Sequence, residues 1–190
     1  MHAVSGATTY RGLATRGVDT WCGIRYAQAP IGALRWRRAR MLEPEAGTIS
    51  ATAFGAVSPQ EPNPGVPLPS GAVHSEDCLF LNVFSPAGAA AENRRRPVMV
   101  WVHGGAYVFG ASSQPLYDGA HLASTQDIVV VTVNYRLGAL GFADLGAPDG
   151  TTSGGRYESN AALSDVLAAL RWVADTIDAF GGAPSQSRQH

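Results

Sequence analysis

A chain of 190 residues, 45% of them apolar, suffices for one domain with a buried core, since domains commonly run to about 100–200 residues. Its 14 basic and 15 acidic residues leave a formal net charge of −1, which gives no electrostatic reason to expect nucleic acid or an anionic membrane as partner. Cys22 and Cys78 are too few for a disulfide framework and their spacing fits no metal site, so neither metal nor cofactor is expected. The opening residues lack the apolar core of a signal peptide. No uncharged apolar stretch reaches the roughly 18 residues that a bilayer requires. A cytoplasmic location with reduced thiols is the expectation.

In chain order, the first forty residues alternate short β-prone pieces such as "TWCGIRYA" with turn signals at Gly12, Gly17 and Pro30-Ile31-Gly32, which reads as one or two hairpins. "PQEPNPGVPLPSG" (59–71) carries five prolines, which lack the donor that a helix or central strand needs, so it reads as a surface loop. "CLFLNVF" (78–84) reads as a strand. "PAGAAAENRRRP" follows as an exposed connection, its arginines 94–96 solvated. Val98 to Val102 is apolar at every position, as is most of "DIVVVTVNY" (127–135), and both suit parallel strands covered on two faces. The segment between them has room for a short crossover helix, giving a βαβ unit. Next, Ser159 or Asn160 can cap a helix whose apolar residues Leu163, Leu167, Leu170, Val173, Ile177 and Phe180 recur at helical spacing, and Gly181-Gly182 ends it. The predicted architecture is α/β, with an antiparallel start feeding a mainly parallel sheet.

The chemistry is concentrated where the strand 98–102 ends in His103-Gly104-Gly105-Ala106. Such a strand-end loop presents backbone N–H groups to a developing oxyanion, and in serine hydrolases it supplies half of that site. The other half follows a nucleophile on a Gly-x-Ser-x-Gly turn, and no serine of the chain sits in that pattern. Ser112 lies in "GASSQ" and Ser153 in "TTSGG". His74 and His121 read as solvated side chains, and Asp118 in "LYDG" as a turn residue.

Five stretches together resemble the type B carboxylesterases, the family of cholinesterases and bacterial nitrobenzyl esterases. They are "GIRYAQAPIGALRW", "SEDCLFLNVFSP", "VMVWVHGGAYVFG", "VVVTVNYRLGALGF" and "ALRWVADTIDAFGG", in the family's order and at its spacing over residues 10–184. The resemblance implies an α/β-hydrolase fold and hydrolysis of small-molecule carboxylic esters by a Ser-acid-His triad, none of whose members falls in the matched region. It assigns the N–H groups of Gly105 and Ala106 to the oxyanion hole, with His103 and Gly104 organising the loop and His103 not acting as the base. It makes Arg35–Glu76 and Arg136–Asp165 structural ion pairs. Ala162, Val166 and Ala183 depart from the Gly, Gln and Asp usual there. The cysteine that pairs with the equivalent of Cys78 in many members is Ser58 or a neighbour here, and no Cys22–Cys78 bridge is expected.

The implied domain is therefore an amino-terminal part of the fold that stops before the nucleophile elbow, spanning 1–190 with a divergent polar tail at 185–190. An esterase that reads on past residue 190 is one alternative; premature termination or a frameshift, which the polar tail resembles, is the other. The leading function is that of a carboxylic ester hydrolase, inactive as this fragment alone. The alternative is a non-catalytic cholinesterase-like binding module. A short hydrolase using Ser112 with His103 lacks both an elbow and an acid. In the α/β-hydrolase order the strand beyond Val98 to Val102 would carry the elbow, so without it that edge should be unpaired and the isolated chain poorly soluble.

Overall fold

The computed structural model describes residues 1–15, 17–92, 94–145 and 158–184. Two hairpins open the chain. β1 (His2–Ser5) and β2 (Thr8–Arg11) turn at Gly6, and β3 (Leu13–Thr15) and β4 (Val18–Arg25) turn at Gly17, whose φ of 83° suits glycine. β5 (Gly47–Ser50) joins β2 in parallel and completes a small three-stranded sheet.

The larger sheet adds β6 (Phe80–Pro86), β7 (Val98–Val102) and β8 (Val129–Val133), in the order β3-β4-β6-β8-β7. β3, β4, β6 and β8 pair antiparallel in succession, and β7 and β8 pair in parallel. The antiparallel start feeding parallel strands is therefore present, with the parallel part of this larger sheet confined to the β7–β8 pair among the described residues. The predicted crossover helix between β7 and β8 is α1 (Ala120–Gln126). The proline-rich loop forms neither helix nor strand, as expected.

β8 lies between β6 and β7, and all five of its residues are buried. Val129, Val131 and Val133 face a core with Trp21, Ile24, Leu81, Trp172 and Phe180, while Val130 faces Phe84 and Ala123 of α1. The Phe180 ring meets Trp21 edge-on, with centroids 4.9 Å apart.

Two expectations are corrected and one is met in part. β7 is the edge strand expected where no strand lies beyond it, but it is not covered on both faces: its residues are half-buried or exposed. Its uniform apolarity marks a surface built for burial that these residues do not supply. The helix is α3 (Ala161–Thr176), continued by a 3₁₀ turn (Ile177–Phe180). Its buried side is Ala162, Asp165, Ala168, Ala169, Trp172 and Val173, while Leu163, Leu167 and Leu170 are 57%, 60% and 43% exposed. The alanines let the helix approach the sheet closely; of the apolar stripe that the sequence predicts, Val173, Ile177 and Phe180 are buried and the three leucines are not. Asn160 does occupy the N-cap position, but it has a left-handed φ of 56° and makes no side-chain capping bond. Finally, Arg96 is not solvated. It is buried between Asp127 (2.5 Å) and Glu92 (2.8 Å), while Arg94 reaches Asp127 at 2.6 Å from an exposed position.

Candidate oxyanion site

β7 delivers the chain into His103-Gly104-Gly105-Ala106, and the backbone there takes an uncommon course. Gly105, Ala106 and Tyr107 have φ values of 132°, 49° and 67°. At Gly105 a β-carbon would stand 1.8 Å from the Phe109 carbonyl oxygen, so only glycine fits; at Gly104 the same construction meets nothing within 4 Å. The conformational demand falls on one glycine of the pair. Val108 and Phe109 both donate to the Gly105 carbonyl, which closes a tight loop. The N–H groups of Gly105 and Ala106 have no acceptor among the described residues. They are adjacent donors on a fixed, half-exposed backbone, the requirement for stabilising charge on an incoming oxygen.

The loop is held from three sides. Tyr135, just past β8, donates its hydroxyl to the His103 carbonyl at 2.7 Å and stacks on the His103 ring, with centroids 4.5 Å apart. Gln60, on the proline-rich loop, accepts from Gly110 N–H (2.7 Å) and donates to Gly110 carbonyl (2.9 Å). Gly138 N–H donates to the Tyr107 carbonyl (2.7 Å) where α2 (Gly138–Phe142) begins.

His103 itself is buried, with Nδ1 placed to donate to the Gly104 carbonyl at 2.9 Å. Burial pushes its pKa below the ordinary value, a shift that this hydrogen bond only partly opposes. The ring is therefore neutral near pH 7. It makes no hydrogen bond with Ser112 among the described residues. Ser112 is buried, its Oγ accepting from Asn82 Nδ2 (3.1 Å) and its N–H donating to Asn134 Oδ1 (2.7 Å). Asn82 also donates to Thr132 Oγ1 and accepts from Gly23 N–H, and Asn134 also donates to the Ala56 carbonyl. These two amides lock the loops around the site to the centre of the sheet. Gln60, Asn82, Asn134 and Tyr135 were not singled out in the sequence. A lone asparagine inside "CLFLNVF" or ending "VVVTV" is the signal that could have found two of them, since polar groups are buried where they are fully bonded.

Arg35–Glu76 and Arg136–Asp165 both form ion pairs and differ in setting. Arg35 Nε and Nη2 reach Glu76 at 2.5 and 2.8 Å, with the side chains 39% and 30% exposed. Arg136 and Asp165 are 2% and 0% exposed. Arg136 donates from its backbone N–H, Nε and Nη2 to that carboxylate at 3.1, 2.8 and 2.6 Å. Burial pushes the Asp165 pKa up, and the bonds from Arg136 pull it back. A third pair, Arg25–Asp77, was not anticipated; its guanidinium also lies over the Phe80 ring.

Asp118 accepts from Ala120 N–H (2.9 Å) in a turn, as expected. His74 and His121 are exposed. Ser153 lies outside the described residues. Cys22 and Cys78 are free, and burial pushes both thiols up to about 12. No group of three or more metal-ligating side chains occurs among the described residues, and no described helix is long and apolar enough to cross a membrane.

A mixed sheet, helices on both faces, and a strand that ends in a His-Gly-Gly loop with free N–H groups define an α/β hydrolase. The sequence profile of the carboxylesterase family matches residues 3–186, and the chain belongs to that family. It is 42% identical over 178 residues to para-nitrobenzyl esterase of Bacillus subtilis (strain 168), covering 92% of this chain and 34% of that protein. It is 40% identical over 177 residues to acetylcholinesterase of Danio rerio, covering 89% and 26%. Among solved structures, a thermophilic pNB esterase superposes with a TM-score of 0.84 at 39% identity, covering 95% of this chain and 36% of that one. A carboxylesterase of Geobacillus stearothermophilus gives 0.80 at 41%, covering 96% and 36%. The chain thus spans about a third of the length of the relatives it matches.

Proposed function

We propose that this chain contributes the oxyanion-binding segment of a serine carboxylesterase acting on small-molecule carboxylic esters, and that it does not turn over by itself. One observation carries the reading: Gly105 and Ala106 present adjacent, unengaged N–H groups at the end of β7, on a loop fixed by Gln60, Tyr135 and Gly138. Addition of a nucleophile to an ester carbonyl concentrates charge on one oxygen, and removing one preorganised donor raises the barrier by about 3 kcal/mol. Two donors without a nucleophile leave little rate enhancement, and the nucleophile must come from polypeptide other than these 190 residues. His103 serves the loop and not proton transfer, because it is buried, neutral and committed at Nδ1. Arg35–Glu76 and Arg136–Asp165 maintain the fold. Two unpaired cysteines accord with a reducing, cytoplasmic setting.

The test is direct. The purified chain should hydrolyse p-nitrophenyl butyrate no faster than buffer and take no covalent label from a fluorophosphonate probe. Stoichiometric labelling of any of its serines would overturn the reading.

A further inference from the structure

Where the β1–β2 turn and the segment 41–45 meet the carboxyl end of α3, the chain encloses a crevice. Its floor is aromatic. Tyr10 of β2, Tyr26 just past β4 and Trp172 of α3 line it, and the Tyr10 and Trp172 rings meet edge-on with centroids 6.1 Å apart. The segment 41–45 forms one wall and is pinned at both ends. Before it, Gln28 N–H donates to the Arg40 carbonyl (2.8 Å) and Ala27 bridges Met41. At its far end, the Thr8 hydroxyl donates to the Glu45 carbonyl (2.5 Å) and Gly47 N–H donates to the Ala7 carbonyl (3.1 Å). The wall is therefore formed in advance of any ligand. The crevice holds about 300 Å³, at the lower end of the range for small-molecule pockets. It shares no residue with the oxyanion loop, nor with Gln60, Tyr135 and Gly138, which hold that loop.

The charges around this crevice are one-sided. Glu43, Glu45 and Asp175 line it with exposed side chains, and among the described residues none of the three takes part in an ion pair. The lining cation, Arg25, is held bidentately by Asp77 and lies over the Phe80 ring, so its charge is already met. Asp175 also stands against its local electrostatics. It occupies the last turn of α3, where the helix dipole favours a positive group and opposes a carboxylate. A carboxylate in that position, above an aromatic floor, is a local conflict that a bound cation relieves. We infer that the crevice is a binding site for a small primary ammonium carried on an aromatic body. The body lies on Tyr10 and Trp172 and adds a ring to a cluster that favours edge and offset contacts. The ammonium has three N–H donors and no acceptor, which suits the carboxylates and the Ser5 hydroxyl at the rim. A neutral molecule of the same shape leaves those carboxylates unmet, and an anion is repelled by them. The site goes beyond ester hydrolysis and uses none of the groups assigned to it.

The experiment titrates the full chain with 2-phenylethylammonium chloride, followed by calorimetry and by proton–nitrogen NMR. Saturable 1:1 binding is expected, with the largest shifts at Trp172 and at the backbone of Thr8, Glu45 and Asp175. The neutral analogue 2-phenylethanol should bind roughly tenfold more weakly or worse, and the anion phenylacetate should not bind. Exposed carboxylates are screened by water, so Asp175→Asn and Glu45→Gln should each weaken the ammonium about two- to fivefold. Added salt should weaken it further. Asp175→Asn should at the same time raise the urea midpoint of the free chain, because it removes a carboxylate from the helix end; lost binding is then not lost folding. Glu61→Gln, an exposed carboxylate outside the crevice, should leave the affinity unchanged. No saturation, equal affinity for the ammonium and the alcohol, shifts centred on the oxyanion loop, or an affinity indifferent to both crevice variants overturns the proposal.

Discussion

Asp165→Ala should be among the most damaging single substitutions in this chain. The carboxylate is fully buried and accepts three bonds from Arg136; its loss leaves a guanidinium that is 2% exposed, with the Ala161 carbonyl (3.3 Å) as its remaining acceptor. One nitrogen, Nη1, already lacks a partner among the described residues. Removing one member of such a buried pair costs about 3–5 kcal/mol, a large part of the roughly 5–15 kcal/mol that holds a domain together. At about 2 kcal/mol per molar urea, the midpoint should fall by about 2 M. The assay is equilibrium urea unfolding at submicromolar protein, followed by the fluorescence of the buried Trp21 and Trp172. The paired change Arg136→Met with Asp165→Leu should recover most of the loss, because apolar replacement removes the desolvation cost along with the attraction. Glu76→Ala offers the contrast: its pair with Arg35 is a third exposed and water screens it, so its shift should be a small fraction of that of Asp165→Ala. Equal shifts for the two single variants, or a double variant as damaged as Asp165→Ala, would refute this reasoning.

Gly105→Ala should destabilise the loop by about 1–3 kcal/mol or more, because φ of 132° and the Phe109 carbonyl both exclude a β-carbon, whereas Gly104→Ala should stay within about 0.5 kcal/mol; thermal unfolding of the two variants distinguishes them. His103 gives a pH signature: its folded pKa is depressed, so below about 6.5 the unfolded chain takes up a proton that the folded chain refuses. Stability should therefore fall as pH drops from about 7.5 to 5.5, and His103→Gln should flatten that slope in urea titrations at each pH. Concentrating the chain should drive association through the bare β7 edge, and Trp101→Lys, which places a charge on an exposed edge residue, should raise the solubility limit measured by light scattering.

The chemical part of the site was legible because it is written in local sequence: a strand, then His-Gly-Gly, requires no knowledge of what packs around it. The ion pairs were legible only through resemblance, since Arg35 and Glu76 lie 41 residues apart and nothing local joins them. What escaped was whatever depends on neighbours. The local pattern of Val98–Val102 says "buried", and its unpaired outer edge was legible only through the strand order that the resemblance implies, which the structure bears out. α3 carries two apolar stripes, one of leucine and one of alanine with Trp172. Hydrophobicity alone chooses the leucines, whereas close helix-to-sheet packing chooses the alanines. Arg96 sat in an apparently solvated run, and the acceptor that buries it, Asp127, comes 31 residues later.

The bond from the Tyr26 hydroxyl to the Asn134 carbonyl, 2.7 Å long and 108 residues apart in sequence, fixes a schedule for the chain as it leaves the ribosome. β4 is synthesised early, but its partner β6 is some sixty residues away, with the proline-rich loop between them. At about 5–20 residues per second, Tyr26 waits roughly 5–20 s for Asn134. Until β6 emerges, about halfway through that interval, Trp21, Ile24 and Tyr26 have only the opening hairpins and β5 to cover them. A nascent chain with this arrangement gives chaperones a long window on its amino-terminal aromatics. Slowing translation between β4 and β6 would lengthen the exposure without altering a single residue of the folded protein.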